Sequence, residues 1–340
     1  MTVYLIIMYI LVFLVSASIG SFLNVLVYRI PKGISAARGY SFCPNCNHRL
    51  HPLDLVPIFS FLGLGRRCRY CKQPISWRYA IVESITGIVG LGLFLYFNVI
   101  QELINHAVYG VYLANGKVND IVTNLFYIGT DVVAGTDLAD NTSIGSLLHR
   151  FGETSLADGG YNPIRSLFET GFIPLHEFTI AWLPLILWVV SFLLFCVLFT
   201  LSLIDMDTQE IPDRFHLCIL ILAILTILFV PIGIGLKSRL IAFVIISVPM
   251  FILAMIIPGA FGGGDIKLMA AAGLLLGIQG VILATFIGII TGGVYAVYLL
   301  VSKKNQRGGH FAFGPFLALG IFAAYLWSDT IVTAYLSLYM

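Results

Sequence analysis

Two aspartates, Asp205 and Asp265, stand at the ends of long uncharged runs. Charged side chains within or beside membrane spans are costly, so they are candidates for function. Two close carboxylates cannot both ionise easily, and a pair that shares one proton can act as general base and general acid. Helix capping at the membrane surface is the competing interpretation. For three further acidic residues we prefer it: Asp207, Glu210 and Asp213.

Three glycines, Gly262, Gly263 and Gly264, immediately precede Asp265. Without side chains they let the backbone approach a substrate strand closely, or take conformations closed to other residues. They are therefore predicted to contribute to substrate binding.

Four cysteines form two pairs, Cys43-Pro-Asn-Cys46 and Cys68-Arg-Tyr-Cys71, in a polar stretch. Two thiolate pairs on tight turns make a tetrahedral set that suits zinc, and the spacing is close to that of a zinc ribbon. Disulfides or a redox pair are the alternatives, and a reducing compartment would disfavour both. Four thiolates fill the coordination shell, so the predicted zinc is structural.

The elements that position these residues are predicted to be membrane spans. The chain has 340 residues, of which 59% are hydrophobic and 11% charged, with a mean hydropathy of +0.96. Soluble domains are about 25% charged, so this composition indicates an all-α polytopic membrane protein. Stretches near the required length of about 20 residues are 3–28, 80–100, 178–204, 214–231, 239–258, 266–282, 284–302 and 312–336. We predict about eight transmembrane helices. Seven is the alternative, because only weak turn signals near Gly277 separate the sixth from the seventh.

The basic residues predict the orientation. With the N-terminus outside, the loop 29–79 and the other cytoplasmic segments contain most of the 19 Lys and Arg residues, which is the positive-inside pattern. The polar, acidic segment 101–177 is then an extracytoplasmic insert. It separates an N-terminal part, 1–100, from a C-terminal membrane domain, 178–340. Two spans separate Asp205 from Asp265, so both carboxylates are predicted at the cytoplasmic face.

Six motifs along the chain resemble those of the type IV prepilin peptidase family. They are Gly20-Ser21-Phe22-Leu23-Asn24-Val25 running to Arg29-Ile30-Pro31, the two cysteine pairs, Ile75-Ser76-Trp77-Arg78-Tyr79 with Val82-Glu83 and Thr86-Gly87, the run Asp205 to Asp213, Gly262-Gly263-Gly264-Asp265, and Phe313-Gly314-Pro315-Phe316. These motifs are spread over nearly the whole chain and keep the family's order. The long segment 101–177 departs from the family, whose members mostly connect these spans more briefly.

The resemblance implies a membrane aspartic protease with Asp205 and Asp265 as its catalytic pair. It favours Asp205 over Asp207 because the family's catalytic Asp stands seven residues before the motif proline, here Pro212. It implies a prepilin or pseudopilin substrate, from a type IV pilus or a type II secretion system. The short basic leader would be cut at the cytoplasmic face of the bacterial inner membrane.

The resemblance also implies that the N-terminal half methylates the new pilin terminus with S-adenosylmethionine. The residues themselves give no support, because no glycine fingerprint of a nucleotide-binding unit is present. Arg78 and Glu83 are the predicted polar anchors for this cofactor. The simpler alternative is that the two side chains pair with each other near a helix start.

Three alternatives differ in function. The first is a peptidase without methylation, the second an ion-coupled transporter with proton-relaying aspartates, and the third a protease that cuts within transmembrane segments. Membrane lipid is the expected surrounding, and no nucleic-acid partner is predicted.

Overall fold

The computed structural model describes residues 2–35, 39–97, 183–229, 234–257, 261–302 and 312–338. Within these ranges the chain is helical and contains no strand, apart from two isolated β-bridges. The predicted insert 101–177 lies outside the described residues.

Nine α-helices follow in chain order among the described residues. The N-terminal ones are α1 (Thr2–Arg29), the short α2 (Phe59–Gly63) and α3 (Trp77–Tyr96). The remainder are α4 (Leu183–Thr208), α5 (Asp213–Phe229), α6 (Leu236–Ile245), α7 (Ser247–Ile256), α8 (Gly263–Val301) and α9 (Gly314–Leu336).

Six of the described helical segments are long and apolar enough to cross a membrane: α1, α3, α4, α6 with α7, α8 and α9. The 17-residue α5 is at the lower end of the range for a span. The 39-residue α8 would be about 58 Å long if straight, nearly twice the hydrocarbon thickness. It is not straight, because Gly277 has φ 70° and ψ −177° and interrupts the helix.

The chain reverses its direction at Gly277. Before it, Gly264 packs on Ile211, which immediately precedes the motif proline. After it, Gly292 packs on Phe313 at the start of α9. Both outer ends of α8 therefore lie at the same end of the bundle, and Gly277 lies at the other, beside Ile234. Counting α8 as two segments and including α5 gives the predicted eight crossings. The break falls at Gly277, however, and not near 283 as the predicted spans required.

Two polar side chains of α6 satisfy backbone groups at this break. A reversal leaves helical N–H and C=O groups without partners inside the membrane, where they are costly. The buried Arg239 donates Nη1–H bonds to the carbonyls of Leu274 (3.0 Å) and Leu275 (2.8 Å). The Ser238 hydroxyl accepts from the N–H of Ile278 at 3.2 Å.

The described helices pack around two apolar cores that share α4. One core is formed by α4, α5, α6, α8 and α9 with Val27 of α1 and Met250 of α7, and the other by α1, α3 and α4. Small residues let α1 and α3 approach closely, since a Cβ on Gly20 would lie 2.9 Å from the Thr86 side chain. The division at 100 and 178 stays a prediction.

Candidate active site

Asp205 lies near the C-terminal end of α4 and is only 5% exposed. Its Oδ2 accepts a 2.9 Å hydrogen bond from the N–H of Gly314, the first residue of α9. Helix N-termini present N–H groups and a partial positive charge, both of which suit a carboxylate. Pro315 follows within the first turn, where its missing N–H costs nothing. The motif around Gly314 was noted in the sequence, but its contact with Asp205 was not predicted.

Asp265 occupies the third position of α8 and is 9% exposed. Its Oδ2 accepts from the N–H of Gly262 at 3.3 Å, closing the first turn on itself. A carboxylate at this position suits the N-terminal end of a helix.

Ile211 connects the two aspartate sites. Its side chain lies 2.9 Å from the position that a Cβ on Gly264 would occupy, and 3.3 Å from that of a Cβ on Gly314. The same Cβ on Gly314 would lie 2.6 Å from Asp205 Oδ2. Ile211 therefore lies between the start of α8, which carries Asp265, and the start of α9, which contacts Asp205. Asp205 and the first turn of α8 therefore lie at the same end of the bundle, and the catalytic pairing of Asp205 with Asp265 stays a prediction.

The three glycines before Asp265 do not use left-handed backbone conformations. Gly262 has φ −71°, and neither Gly263 nor Gly264 has a positive φ. Close approach explains Gly264, which packs against Ile211, whereas no described atom lies within 4 Å of a Cβ on Gly263. Gly263 therefore presents open backbone beside Asp265, and its role in substrate binding stays a prediction.

Polar contacts to α5 hold the start of α8 in place. The ring nitrogen Nε2 of the buried His216 lies 3.0 Å from the Gly264 carbonyl oxygen. Lys267 donates to Asp213 Oδ1 at 2.7 Å, at the first residue of α5. Lys267 thus pairs with Asp213, a contact that the sequence did not predict. The role of His216 was not predicted from its sequence context.

Arg78 connects the N-terminal helices to the end of α4. Its Nη1 donates to both carboxylate oxygens of Asp207 at 2.8 and 2.7 Å, and its Nη2 donates to the Leu203 carbonyl at 3.2 Å. Asp207 and Leu203 flank Asp205, each two residues away. Both terminal nitrogens of the guanidinium are thus hydrogen-bonded to α4. This disfavours the predicted role of Arg78 as a cofactor anchor.

Glu83 does not pair with Arg78 as the simpler of the two sequence interpretations expected. It is 7% exposed, and its Oε2 accepts from the N–H of Ile58 at 2.7 Å. Pairing of Glu83 with Arg78 is therefore wrong. Ile58 has φ 64°, a strained conformation for a β-branched residue. Glu83 faces a cavity of about 420 Å³ between α1, α3 and the cysteine-bearing loop.

The two cysteine pairs form matching turns. The N–H of Cys43 donates to the His48 carbonyl, and the N–H of Asn47 returns to the Cys43 carbonyl. In the second turn, the N–H of Cys68 donates to the Gln73 carbonyl, and the N–H of Lys72 donates to the Cys68 carbonyl. Each turn is closed by a β-bridge and has a positive φ at its fifth residue, Asn47 or Lys72.

The thiol positions fit a zinc ion. All four sulfur atoms lie within 4.8 Å of one another, and the sulfurs of Cys43 and Cys71 are 3.9 Å apart. Tetrahedral zinc with 2.3 Å bonds places its sulfurs about 3.8 Å apart. A backbone hydrogen bond from Cys71 outweighs burial and lowers the pKa of Cys68 to about 7. A backbone bond from Gln73 lowers the pKa of Cys71, but burial and neighbouring thiols outweigh it and raise the pKa to about 11.

The fold and the site together define a multi-pass membrane protein that holds two buried aspartates at one end of a helix bundle. A family model described as "Bacterial Peptidase A24 N-terminal domain" matches residues 14–97. A second model, described as "Type IV leader peptidase family", matches residues 192–297. The chain belongs to the type IV leader peptidase family.

Curated relatives agree with this family over nearly the full chain. A prepilin leader peptidase/N-methyltransferase of Aeromonas salmonicida (strain A449) is 25% identical over 96% of this chain and 93% of its own length. One of Bacillus subtilis (strain 168) is 23% identical over 96% of this chain and 98% of its own length. One of Myxococcus xanthus (strain DK1622) is 40% identical, over 27% of this chain and 28% of its own length. No solved structure matches the chain.

Proposed function

We propose that this protein cleaves the short basic leader from type IV prepilins or type II secretion pseudopilins, and then methylates the new N-terminus. The observation that carries the peptidase half is the convergence of Asp205 and Asp265, both buried, through Ile211 at one end of the bundle. A transporter would hold such carboxylates near the bilayer midplane, whereas these two lie at helix ends.

The paired carboxylates supply the acid and the base of the hydrolysis. Because like charges in a buried site cannot both ionise easily, the pair holds one shared proton. One aspartate takes a proton from water, and the water oxygen attacks the scissile carbonyl carbon while the other aspartate donates its proton to the carbonyl oxygen. The carbon–nitrogen bond then breaks as the amine nitrogen takes the proton that the first aspartate had removed from water, and a hydroxyl proton of the diol returns to the second aspartate.

The Gly263 backbone offers room for the substrate beside this pair. The resemblance to the family implies a leader that ends in glycine. Such a leader has no side chain to hinder the cut, and open backbone on the enzyme suits an extended strand. Substrate binding at Gly262, Gly263 and Gly264 therefore belongs to this proposal.

The proposed location is the bacterial inner membrane, with the N-terminus outside and the aspartates at the cytoplasmic face. The basic residues of the loop 29–79 support this orientation. The proposed cofactors are a structural zinc ion on the four cysteines and S-adenosylmethionine as the methyl donor. Of the two predicted anchors for the donor, the contacts described above favour Glu83.

Mass spectrometry of products tests both activities. The purified protein in detergent would be incubated with a prepilin and S-adenosylmethionine, beside Asp205→Asn and Asp265→Asn. Asp329→Asn is the control, since Asp329 is an exposed aspartate in the second half of α9. We expect the control to cleave and both aspartate variants to leave the leader attached. Cleavage by either variant at the wild-type rate would refute the catalytic pair, and a trimmed product without an added methyl would refute methylation.

A further inference from the structure

The cavity beside Glu83 is enclosed by three separate segments of the N-terminal half. The end of α1 contributes Ser21, Asn24 and Arg29, and the start of α3 contributes Tyr79 and Glu83. The loop between them closes the cavity, and Cys43 and Cys68 of the two cysteine turns are part of its wall. Two motifs of the sequence, 20–31 and 75–87, thus meet at one space that the peptidase reaction does not use.

The wall has the composition of a small-molecule site. Most of the lining is apolar and includes the rings of Phe42 and Phe61. Its volume of about 420 Å³ falls within the range of about 300–1,000 Å³ for such sites. Glu83 places a negative charge at one wall and Arg29 a positive charge at another.

The polar groups are held in fixed positions. Asn24 is 7% exposed and donates its Nδ2–H to the Tyr79 carbonyl at 3.2 Å, which joins α1 to α3. Arg29 is 5% exposed and donates to the Tyr40 carbonyl at 2.8 Å. The Glu83 carboxylate accepts from the strained Ile58, and a carboxylate offers about four acceptor positions. Strain held at the edge of a cavity is typical of binding sites.

We infer that this cavity binds the methyl donor, S-adenosylmethionine, with Glu83 facing its cationic part and Arg29 its carboxylate. The donor combines a sulfonium, an amino-acid zwitterion and an aromatic base, which the opposite charges and aromatic walls of this cavity match. The inference rests on the methyltransferase half of the proposed function. In the transfer, the pilin amine nitrogen bonds to the methyl carbon as the carbon–sulfur bond breaks, its electron pair passes to sulfur, and an amine proton is released.

Calorimetric titration of the full-length protein with S-adenosylmethionine tests the site without relying on turnover. Two variants alter the cavity in different ways: Glu83→Gln removes the charge at nearly constant shape, and Ser60→Trp fills space at the wall. Ile88→Ala is the matched control, because Ile88 lies on the same helix as Glu83 and is 63% exposed. Leader cleavage is measured on every variant as the check of folding.

We expect both cavity variants to weaken donor binding at least tenfold while the control and leader cleavage stay within twofold of wild type. If the wild type methylates and both cavity variants bind the donor as tightly as the wild type does, the inference is overturned. The proposed function would still stand in that case. Wild type that cleaves but neither binds the donor nor methylates would overturn the methyltransferase half of the proposed function, and the inference with it.

Discussion

At the scale of single residues, the Asp205 carboxylate accepts a hydrogen bond from a backbone group of α9, a helix distant in the sequence. Gly314 donates its N–H to Asp205 and leaves no space for a side chain, since a Cβ would lie 2.6 Å from the carboxylate oxygen. The glycine therefore sets the position of Asp205 as directly as α4 does.

Gly314→Ala is expected to lower kcat/KM for leader cleavage by at least about 100-fold, because a displacement of about 1 Å at a catalytic group can cost that much. Cleavage assays with a prepilin would measure the loss. Gly293→Ala is the control, since no described atom lies within 4 Å of its added Cβ. Equal activity of the two variants would show that the Gly314 contact does not position Asp205.

The sequence predicted the aspartate pair but not this contact. Asp205 and Asp265 can be identified in the sequence because charges beside apolar runs are rare. They can be placed on the same face of the membrane because an even number of spans separates them. The bond from Gly314 joins residues 109 positions apart and depends on how α9 docks against α4. No local pattern encodes that docking. The contact of His216 with Gly264 was missed for the same reason.

At the scale of helices, the reversal within α8 depends on side chains of α6. Removing Arg239 leaves the Leu274 and Leu275 carbonyls without their donor in a dry environment. Each buried polar group left without a partner costs about 1–3 kcal/mol.

Arg239→Leu is therefore expected to destabilise the protein by about 2–4 kcal/mol, measured by thermal or denaturant unfolding in detergent. Lys237→Leu removes the same charge two residues away, at an exposed position, and should change stability by less than about 0.5 kcal/mol. Equal stability of both variants would contradict the role of Arg239 at the break.

Arg78 is expected to act as a positioning residue for Asp205, because it holds α4 on both sides of the aspartate. Arg78→Ala should reduce kcat for cleavage about tenfold with little change in KM, since an interaction that orients the catalytic group affects the chemical step. The exchanged pair, Arg78→Asp with Asp207→Arg, should recover part of that loss in steady-state assays. An unchanged kcat for Arg78→Ala would contradict the role of Arg78 in positioning Asp205.

Hydropathy predicted the long apolar segments of the C-terminal half but not where α8 turns. Residues 268–302 are uncharged, so nothing in their composition marks a boundary. The turn was set by packing, since Gly277 lies against Ile234 and Ser238, and glycine tolerates the positive φ that the reversal needs.

At the scale of the molecule, the two cysteine turns of the proposed zinc site lie in a different part of the fold from the two aspartates. Cys43 and Cys68 contribute to the cavity wall, whereas Asp205 and Asp265 contact α9 and the start of α8. The cavity was beyond sequence reasoning because its walls come from three segments that only the fold brings together.

Removal of zinc is expected to abolish donor binding while leader cleavage stays within about threefold of wild type, because structural zinc stabilises only the region that it closes. Metal content, donor binding by calorimetry and leader cleavage would be measured on chelated protein and on Cys43→Ser. Cys218→Ser is the control, since Cys218 is exposed and outside the two cysteine turns. Unchanged donor binding by metal-free protein would contradict this dependence.

The side chains of the first two turns of α3 contact two different parts of the molecule. Tyr79 and Glu83 point to the cavity, while Arg78 reaches across to Asp207. In evolutionary terms, this makes the N-terminal half difficult to discard. A lineage that lost α1, the cysteine turns and α3 would leave the Asp207 carboxylate without its Arg78 partner, two residues from Asp205. Such a descendant is expected to carry a neutral residue in place of Asp207, or a new cation from elsewhere in its chain.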